Sequence, residues 1–257
     1  MERLSVIKVG GKIVEEEASL QALLSDFTAL PGRKALVHGG GRSATRVATL
    51  LGIESEMVNG RRVTGPDMLR VVTMVYGGLV NKGIVAALQQ RGVNALGLTG
   101  ADLGVVRSEK RPAGEVDYGF VGDVKRVDGA VLADLAERGV VPVMAPLSFS
   151  EEYGLLNTNA DTIAAETAKG LAPYFDVDLV FCFEKKGVLS DPADDDSVIS
   201  SITPGSYERL KAEGVVSGGM LPKIDNAFDA LRHGVRRVII TMASELGKGT
   251  GTVITLD

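Results

Sequence analysis

The chain has 257 residues, 45% of them hydrophobic and 24% charged, enough for a sizeable α/β core in one domain or two lobes. A formal net charge of -5 argues against a general binder of nucleic acid or of anionic membrane. One cysteine, Cys182, excludes an intrachain disulfide and reads as a small buried hydrophobe.

The first apolar run, Val6-Ile7-Lys8-Val9, carries one cation in its middle and ends in Gly10-Gly11. Such a run reads as a buried strand, and Lys is seldom buried without a partner. Two glycines after it let backbone N–H groups approach a ligand. Lys8 is therefore either a cation aimed with those amides at one anion, or an exposed lysine on an edge strand. A helix over 15–30 follows, with Leu20, Leu23, Leu24 and Phe27 on one face, ended by Pro31-Gly32. The next strand, 34–38, leads into Gly39-Gly40-Gly41 and a helix over 42–51. Strand, glycine turn and helix start together present free N–H groups to an anion. Neither the dinucleotide fingerprint nor a Walker A motif is present. His38 is read as a structural residue at the strand end.

Thr64, Pro66 and Asp67 resemble a capping box opening a helix that runs to about residue 91. Its apolar residues cover more than one face, which predicts burial on both sides and a subunit partner. A strand at 93–98 precedes a polar, glycine-punctuated stretch, 107–128, read as a hairpin or lid. A helix over 130–138, a buried strand at 140–144, then Asn157, Asn159 and Asp161 before a helix over 162–171 come next. Those polar residues could be simple helix caps. Beyond Ala172-Pro173, the expected lobe boundary, lie a strand at 179–183, an acidic loop at 191–196, a glycine-led helix over 224–233 and a strand at 235–242. Repeated strand–helix alternation predicts an α/β fold, a mainly parallel open sheet sandwiched by helices in two lobes, 1–173 and 174–257. No signal-peptide pattern follows Met1 and no apolar run approaches the length of a membrane span, so a reducing cytoplasm is expected.

Five motifs occur in one order: Lys8-x-Gly10-Gly11, His38-Gly39-Gly40-Gly41, Gly60-x-Arg62-Val63-Thr64, Asn157-x-Asn159-Ala160-Asp161 and Gly218-Gly219-Met220-x-Pro222-Lys223. In this the chain resembles the N-acetylglutamate kinases of the amino acid kinase superfamily, from Lys8 to Gly249-Thr250-Gly251-Thr252. The resemblance implies γ-phosphoryl transfer from MgATP to the side-chain carboxylate of an N-acylated glutamate, as in arginine biosynthesis. It assigns catalysis to Lys8, Lys223 and Asp161, with Asp161 holding both ammonium groups. It gives Gly40, Gly41, Arg62 and Asn157 to the acyl-amino acid. Gly10, Gly11, Glu184, Gly187, Val188, Leu189 and Ser217 go to ATP, with Mg²⁺ held mainly by the ATP phosphates and no protein metal site. The first lobe would bind the acyl-amino acid and dimerise; the second would bind nucleotide.

The chain departs from the family at Phe183-Glu184, where Thr-Asp is usual, and at Lys185-Lys186, read as solvated charges or as facing ATP. It starts just before the first strand, without the extra helix of arginine-inhibited hexamers, so the resemblance suggests a homodimer without that feedback. Lys110 and Arg111 in the lid could read an extra carboxylate if they point inward, making N-succinylglutamate the substrate. A kinase of N-acylated or carrier-bound 2-aminoadipate would share every motif, since one methylene is discriminated by only about 1–3 kcal/mol. A non-catalytic ligand sensor on the same fold is the alternative of another class, and retention of both lysines with Asp161 argues against it.

Overall fold

Apolar runs that end in glycine become strand–turn–helix units in the computed structural model, which describes residues 1–58, 60–216 and 220–257. β1 (Arg3–Val9) passes through Gly10 into α1 (Gly11–Glu15) and α2 (Glu17–Ala29). β2 (Arg33–His38) passes through its own glycines into α3 (Gly41–Leu50). The expected helix over 15–30 is thus two, starting earlier and broken at Glu16, whose backbone is extended. Next to the break, Glu15 accepts the Ser43 backbone N–H at the start of α3. That contact ties the first glycine turn to the second.

A small hairpin, β3 (Met57–Val58) and β4 (Arg61–Arg62), precedes a long helical rod. The rod comprises α4 (Pro66–Val72), a π-helical segment (Thr73–Val80) and α5 (Asn81–Gln89). After it come β5 (Ala95–Leu98), the hairpin β6 (Val106–Lys110) and β7 (Gly122–Val127), α6 (Gly129–Glu137) and β8 (Val141–Met144). The chain continues through β9 (Leu147–Ser150), β10 (Gly154–Asn157), α7 (Ala160–Leu171) and β11 (Asp176–Phe183). It closes with β12 (Ser201–Ile202), α8 (Pro204–Ala212), α9 (Met220–Arg232), β13 (Arg237–Met242) and β14 (Thr252–Ile254).

Among the described residues the main sheet has eight strands in the order β12-β14-β13-β11-β1-β2-β8-β5. Neighbours are parallel except β13 and β14. The first four strands in that order come from beyond residue 173 and the last four from before it. The two stretches therefore meet where β1 pairs with β11. Side chains alternate across each strand, so β1 sends Leu4 and Val6 into one core and Ile7 and Val9 into the other. One core holds α6, α7 and α9; the other holds α2, α3 and the rod. Lys8 falls on the Leu4–Val6 side, the face that α7 covers. A second sheet, β10-β9-β6-β7, carries the expected hairpin.

The rod corrects two expectations. Its N-cap is Gly65 with no side-chain cap bond, so Thr64 and Asp67 form no capping box. Asp67 pairs with Arg70 at 3.0 Å, and the Thr64 hydroxyl is used inside the protein, as described below. The rod, Pro66–Gln89, is also long and apolar enough to cross a membrane by length and composition, with mean hydropathy 1.6 over its most apolar window. Half of that window is buried within this chain, among Met68, Val71, Val72, Val75 and Tyr76. It is a core helix, and its remaining apolar surface includes the exposed Met74 and Leu79.

Candidate active site

The site forms where two glycine turns touch. Gly39 N–H donates to Val9 O at 2.9 Å, and a Cβ on Gly39 would sit 3.1 Å from Gly11 N. Gly40 has φ +155, and a Cβ there would meet the Tyr76 ring at 3.1 Å. Glycine at both positions lets two backbones approach without side chains between them. His38 braces this turn from behind and is fully buried. Its Nδ1 lies 2.7 Å from Gly39 O, and its Nε2 lies 3.1 Å from Asn81 Nδ2. A carbonyl can only accept, so the proton is assigned to Nδ1 and Asn81 donates to Nε2. Asn81 Nδ2 also donates to Val143 O at 2.9 Å. Burial lowers the imidazole to about 4, so it is neutral at pH 7.

Lys8 is buried, and its ammonium lies 2.7 Å from Asp161 Oδ1. Lys223, near the start of α9, approaches Asp161 Oδ2 at 3.6 Å. The Lys8 contact is an ion pair rather than an aligned hydrogen bond, because Oδ1 has no partner of hydrogen-bond geometry. Burial pushes the Asp161 carboxyl up, but the two ammonium groups outweigh it and hold it below the usual carboxylate range. Burial also lowers Lys223, against the opposing pull of Asp161. The cap reading for Asp161 fails for a structural reason. Asn159 is the N-cap of α7, its Oδ1 accepting from Asp161 N at 2.7 Å and Thr162 N at 3.2 Å. With the helix end satisfied by Asn159, the Asp161 carboxylate is left for the lysines.

Two cavities adjoin across Gly41, Met57 and Arg62. The smaller, about 170 Å³, is lined by Gly39, Gly40, Arg61, Arg62, Tyr76, Asn157 and Thr158, among others. Asn157 Nδ2 donates to Thr64 Oγ1 at 2.9 Å, and Thr64 Oγ1 donates to Arg62 O at 3.0 Å. One hydroxyl thus links two of the expected substrate residues. Arg62 is buried. Its Nη1 donates to Ser55 Oγ, and its Nη2 donates to Gly41 O at 2.8 Å and Thr45 Oγ1 at 3.0 Å. Its Nε is a buried donor with no partner among the described residues.

The larger cavity, about 650 Å³, falls in the size range of ligand clefts. It is lined by Gly10, Gly11, Lys12, Arg42, Thr45, Phe183, Glu184, Lys185, Gly187, Met220 and Lys223, among others. Glu184 pairs with Lys12 at 3.2 Å. Lys12 and Arg42 were not expected here; each directly follows a glycine turn, which is the signal that could have found them. Thr45 and Ser55 had no such signal. Val188 and Leu189 are buried core residues outside this lining, and Val188 N–H donates to Thr252 Oγ1 at 2.8 Å. Ser217, with Gly218 and Gly219, lies outside the described residues. Lys185 pairs with Asp195 at 2.5 Å and Lys186 with Asp196.

The lid cations do not face the smaller cavity. Arg111 grips Asp123, with Nε 3.0 Å from Oδ1, and Lys110 sits 5.2 Å from the Phe120 ring and 5.1 Å from that of Tyr153. Both line a separate cleft with Glu109, Asp117 and Glu152.

A mainly parallel sheet bearing glycine turns and a Lys–Asp–Lys cluster at its centre defines a phosphotransferase of the amino acid kinase type. The amino acid kinase family matches residues 3–242. Within it, the chain is 65% identical over 253 residues to the acetylglutamate kinase of Bacteroides thetaiotaomicron, covering 98% of each. This chain therefore belongs to the acetylglutamate kinases of the amino acid kinase family. The crystal structure of smu.665 from Streptococcus mutans UA159 superposes with a TM-score of 0.80 at 30% identity, over 99% of both chains. Carbamate kinase from Giardia lamblia bound to AMP-PNP shares the fold, with a TM-score of 0.73 at 14% identity over 100% of this chain and 99% of that one.

Proposed function

We propose that the protein transfers the γ-phosphoryl group of MgATP to the side-chain carboxylate of N-acetyl-L-glutamate, yielding the acyl phosphate and ADP in arginine biosynthesis. The Lys8–Asp161–Lys223 cluster carries this reading, because it puts two cations on one carboxylate beside paired cavities. A carboxylate acceptor is already ionised at pH 7, so the reaction needs no general base. A carboxylate oxygen forms the new bond to γ-phosphorus while the bond from γ-phosphorus to the bridging oxygen breaks, and ADP departs with that electron pair. The demand on the protein is positioning and neutralisation of spread negative charge. Lys8 and Lys223 supply positive charge, and the amides of Gly11, Gly40 and Gly41 supply donors. Asp161 fixes the spacing of the two ammonium groups.

The smaller cavity takes the acyl-amino acid, with Asn157 and the Arg62 guanidinium binding it. Because both Arg62 Nη atoms are engaged within the chain, a bidentate carboxylate grip exchanges some of those bonds or recruits Nε. The larger cavity takes the nucleotide, with Gly10, Gly11, Lys12, Arg42, Glu184 and Gly187 around the phosphates. The first stretch of chain then holds the acyl-amino acid and lends its glycine turns to the phosphates, and the second stretch completes the nucleotide cavity. Mg²⁺ arrives on the triphosphate, whose oxygens it prefers. Trapping the product with hydroxylamine tests the proposal. Hydroxamate that depends on both ATP and N-acetylglutamate is expected, and binding of both without turnover would leave a ligand sensor.

A second reading of the acyl group rests on Arg61. It is a second arginine on the smaller cavity's wall, half-buried, and lowered by burial and by Arg111 nearby. With Arg62 serving the α-carboxylate, Arg61 would suit an acyl group that itself ends in a carboxylate, as succinyl does. Comparing kcat/KM for N-succinyl- and N-acetylglutamate decides it, and a preference for the acetyl compound removes this reading. We also propose a homodimer through the exposed Met74 and Leu79 of the rod. Light scattering at the monomer mass would remove that one.

A further inference from the structure

The mechanism leaves Phe183 unused, although it stands among the catalytic charges. The residue ends β11, and its ring stacks on Phe181 at 6.1 Å between centroids with planes 16° apart. The Lys223 ammonium lies 3.7 Å from the Phe183 ring centroid, and the Lys8 ammonium lies 5.3 Å from it. Cations within about 6 Å of a ring face are attracted by its quadrupole.

The electrostatics of the cluster explain why a ring is useful there. Two ammonium groups share one carboxylate, and the Lys223 contact is the longer of the two. The Lys223 side chain is also more exposed than that of Lys8, 32% against 9%. Lys223 is thus the less restrained cation, and the Phe183 ring at the end of β11 lies directly against it. A second carboxylate would hold it as well, but would repel the phosphoryl group that the site must attract. A quadrupole offers partial negative charge without net charge. Phe181 behind it fixes the plane of the ring.

Resting on the phosphotransfer reading above, we propose that Phe183 is a positioning residue for Lys223, its ring holding the ammonium by a cation–π contact in the orientation used on the transferring phosphoryl group. The experiment is kcat at saturating ATP and N-acetylglutamate for a graded series in which Phe183 is replaced by mono-, di- and trifluorinated phenylalanine. Fluorine withdraws the ring's negative face while nearly preserving shape. The expected result is a stepwise fall in kcat with each fluorine, an unchanged KM for N-acetylglutamate, and a total loss of about 5- to 30-fold by Phe183→Leu. Phe183→Tyr, which retains the face, restores most of kcat. A kcat indifferent to fluorination would overturn the proposal, even if Phe183→Leu were impaired, because a packing role follows shape alone. A kcat that rises with fluorination would also overturn it, showing that the ring withholds Lys223. Failure of the phosphotransfer reading is distinguishable, since the unsubstituted protein would then form no acyl phosphate.

Discussion

Lys8 on β1 and Lys223 on α9 reach one carboxylate from opposite ends of the chain, and they are held in different ways. Lys8 sits within a central strand, flanked by β2 and β11, with its ammonium 2.7 Å from Asp161. Lys223 stands near a helix start, one-third exposed, 3.6 Å from Asp161 and against an aromatic ring. The smaller cavity repeats the first pattern: Arg62, Asn157 and Thr64 are buried and joined by hydrogen bonds. The larger cavity repeats the second, with pairs such as Lys12–Glu184 and Lys185–Asp195 more than 50% exposed on every partner. Exposed pairs contribute little to stability, about 0–1 kcal/mol each. One half of the site is therefore pre-built by buried contacts, and the other is lined by exposed pairs that constrain it less.

Removing each lysine breaks this comparison most sharply. Lys8→Ala and Lys223→Ala should each lower kcat on the order of 10²–10³-fold, as loss of one preorganised charge donor does. Their stabilities should diverge. Lys8→Ala leaves the mostly buried Asp161 carboxylate beside only its looser partner, so thermal melting should fall by roughly 5–10 °C. Lys223→Ala should melt close to the unsubstituted protein. Equal melting shifts would mean that the two lysines are equivalent.

Next in size is a pH effect on the rigid side. Burial lowers the His38 imidazole from the ordinary 6.5 to about 4 in the fold. The unfolded chain therefore binds the proton first as pH falls. The stability due to the neutral imidazole is fully present above pH 6.5 and is lost between there and about pH 4, on the order of 3 kcal/mol. Chemical denaturation across that range, compared with the non-titrating His38→Gln, measures it. Curves that run parallel for the two proteins would remove His38 from the bracing of the glycine turn. A smaller effect concerns ground-state binding. Arg62→Ala should raise KM for N-acetylglutamate about 10- to 100-fold, in line with lost hydrogen bonds to a charged group, with a lesser change in kcat.

What the sequence made legible follows the same division. The strand bearing Lys8, both glycine turns and the parallel sheet could be read because local pattern and tertiary role coincide there. The Asp161 cluster was visible through family resemblance, but its separation from helix capping needed Asn159 in place. Thr64 has the spacing of a cap, yet a contact with Asn157, distant in sequence, claims its hydroxyl. Ser55 and Thr45 hold Arg62 through tertiary contacts that carry no periodic signal. Val188 and Leu189 follow the expected nucleotide loop, but burial in the core takes their side chains from the cavity wall. Lys110 and Arg111 looked like a carboxylate reader only while Asp123 and the aromatic rings around them were unplaced.

Asp161 joins the two regions, so the most direct measurement is the steady-state kcat of Asp161→Asn with both substrates saturating. The variant keeps size while removing the charge shared by the rigid and the adjustable lysine. The expected result is a fall on the order of 10²-fold in kcat, with KM for N-acetylglutamate little changed and both lysines still in the chain. A near-normal kcat would contradict the account, because the two cations would then need no common carboxylate to act together.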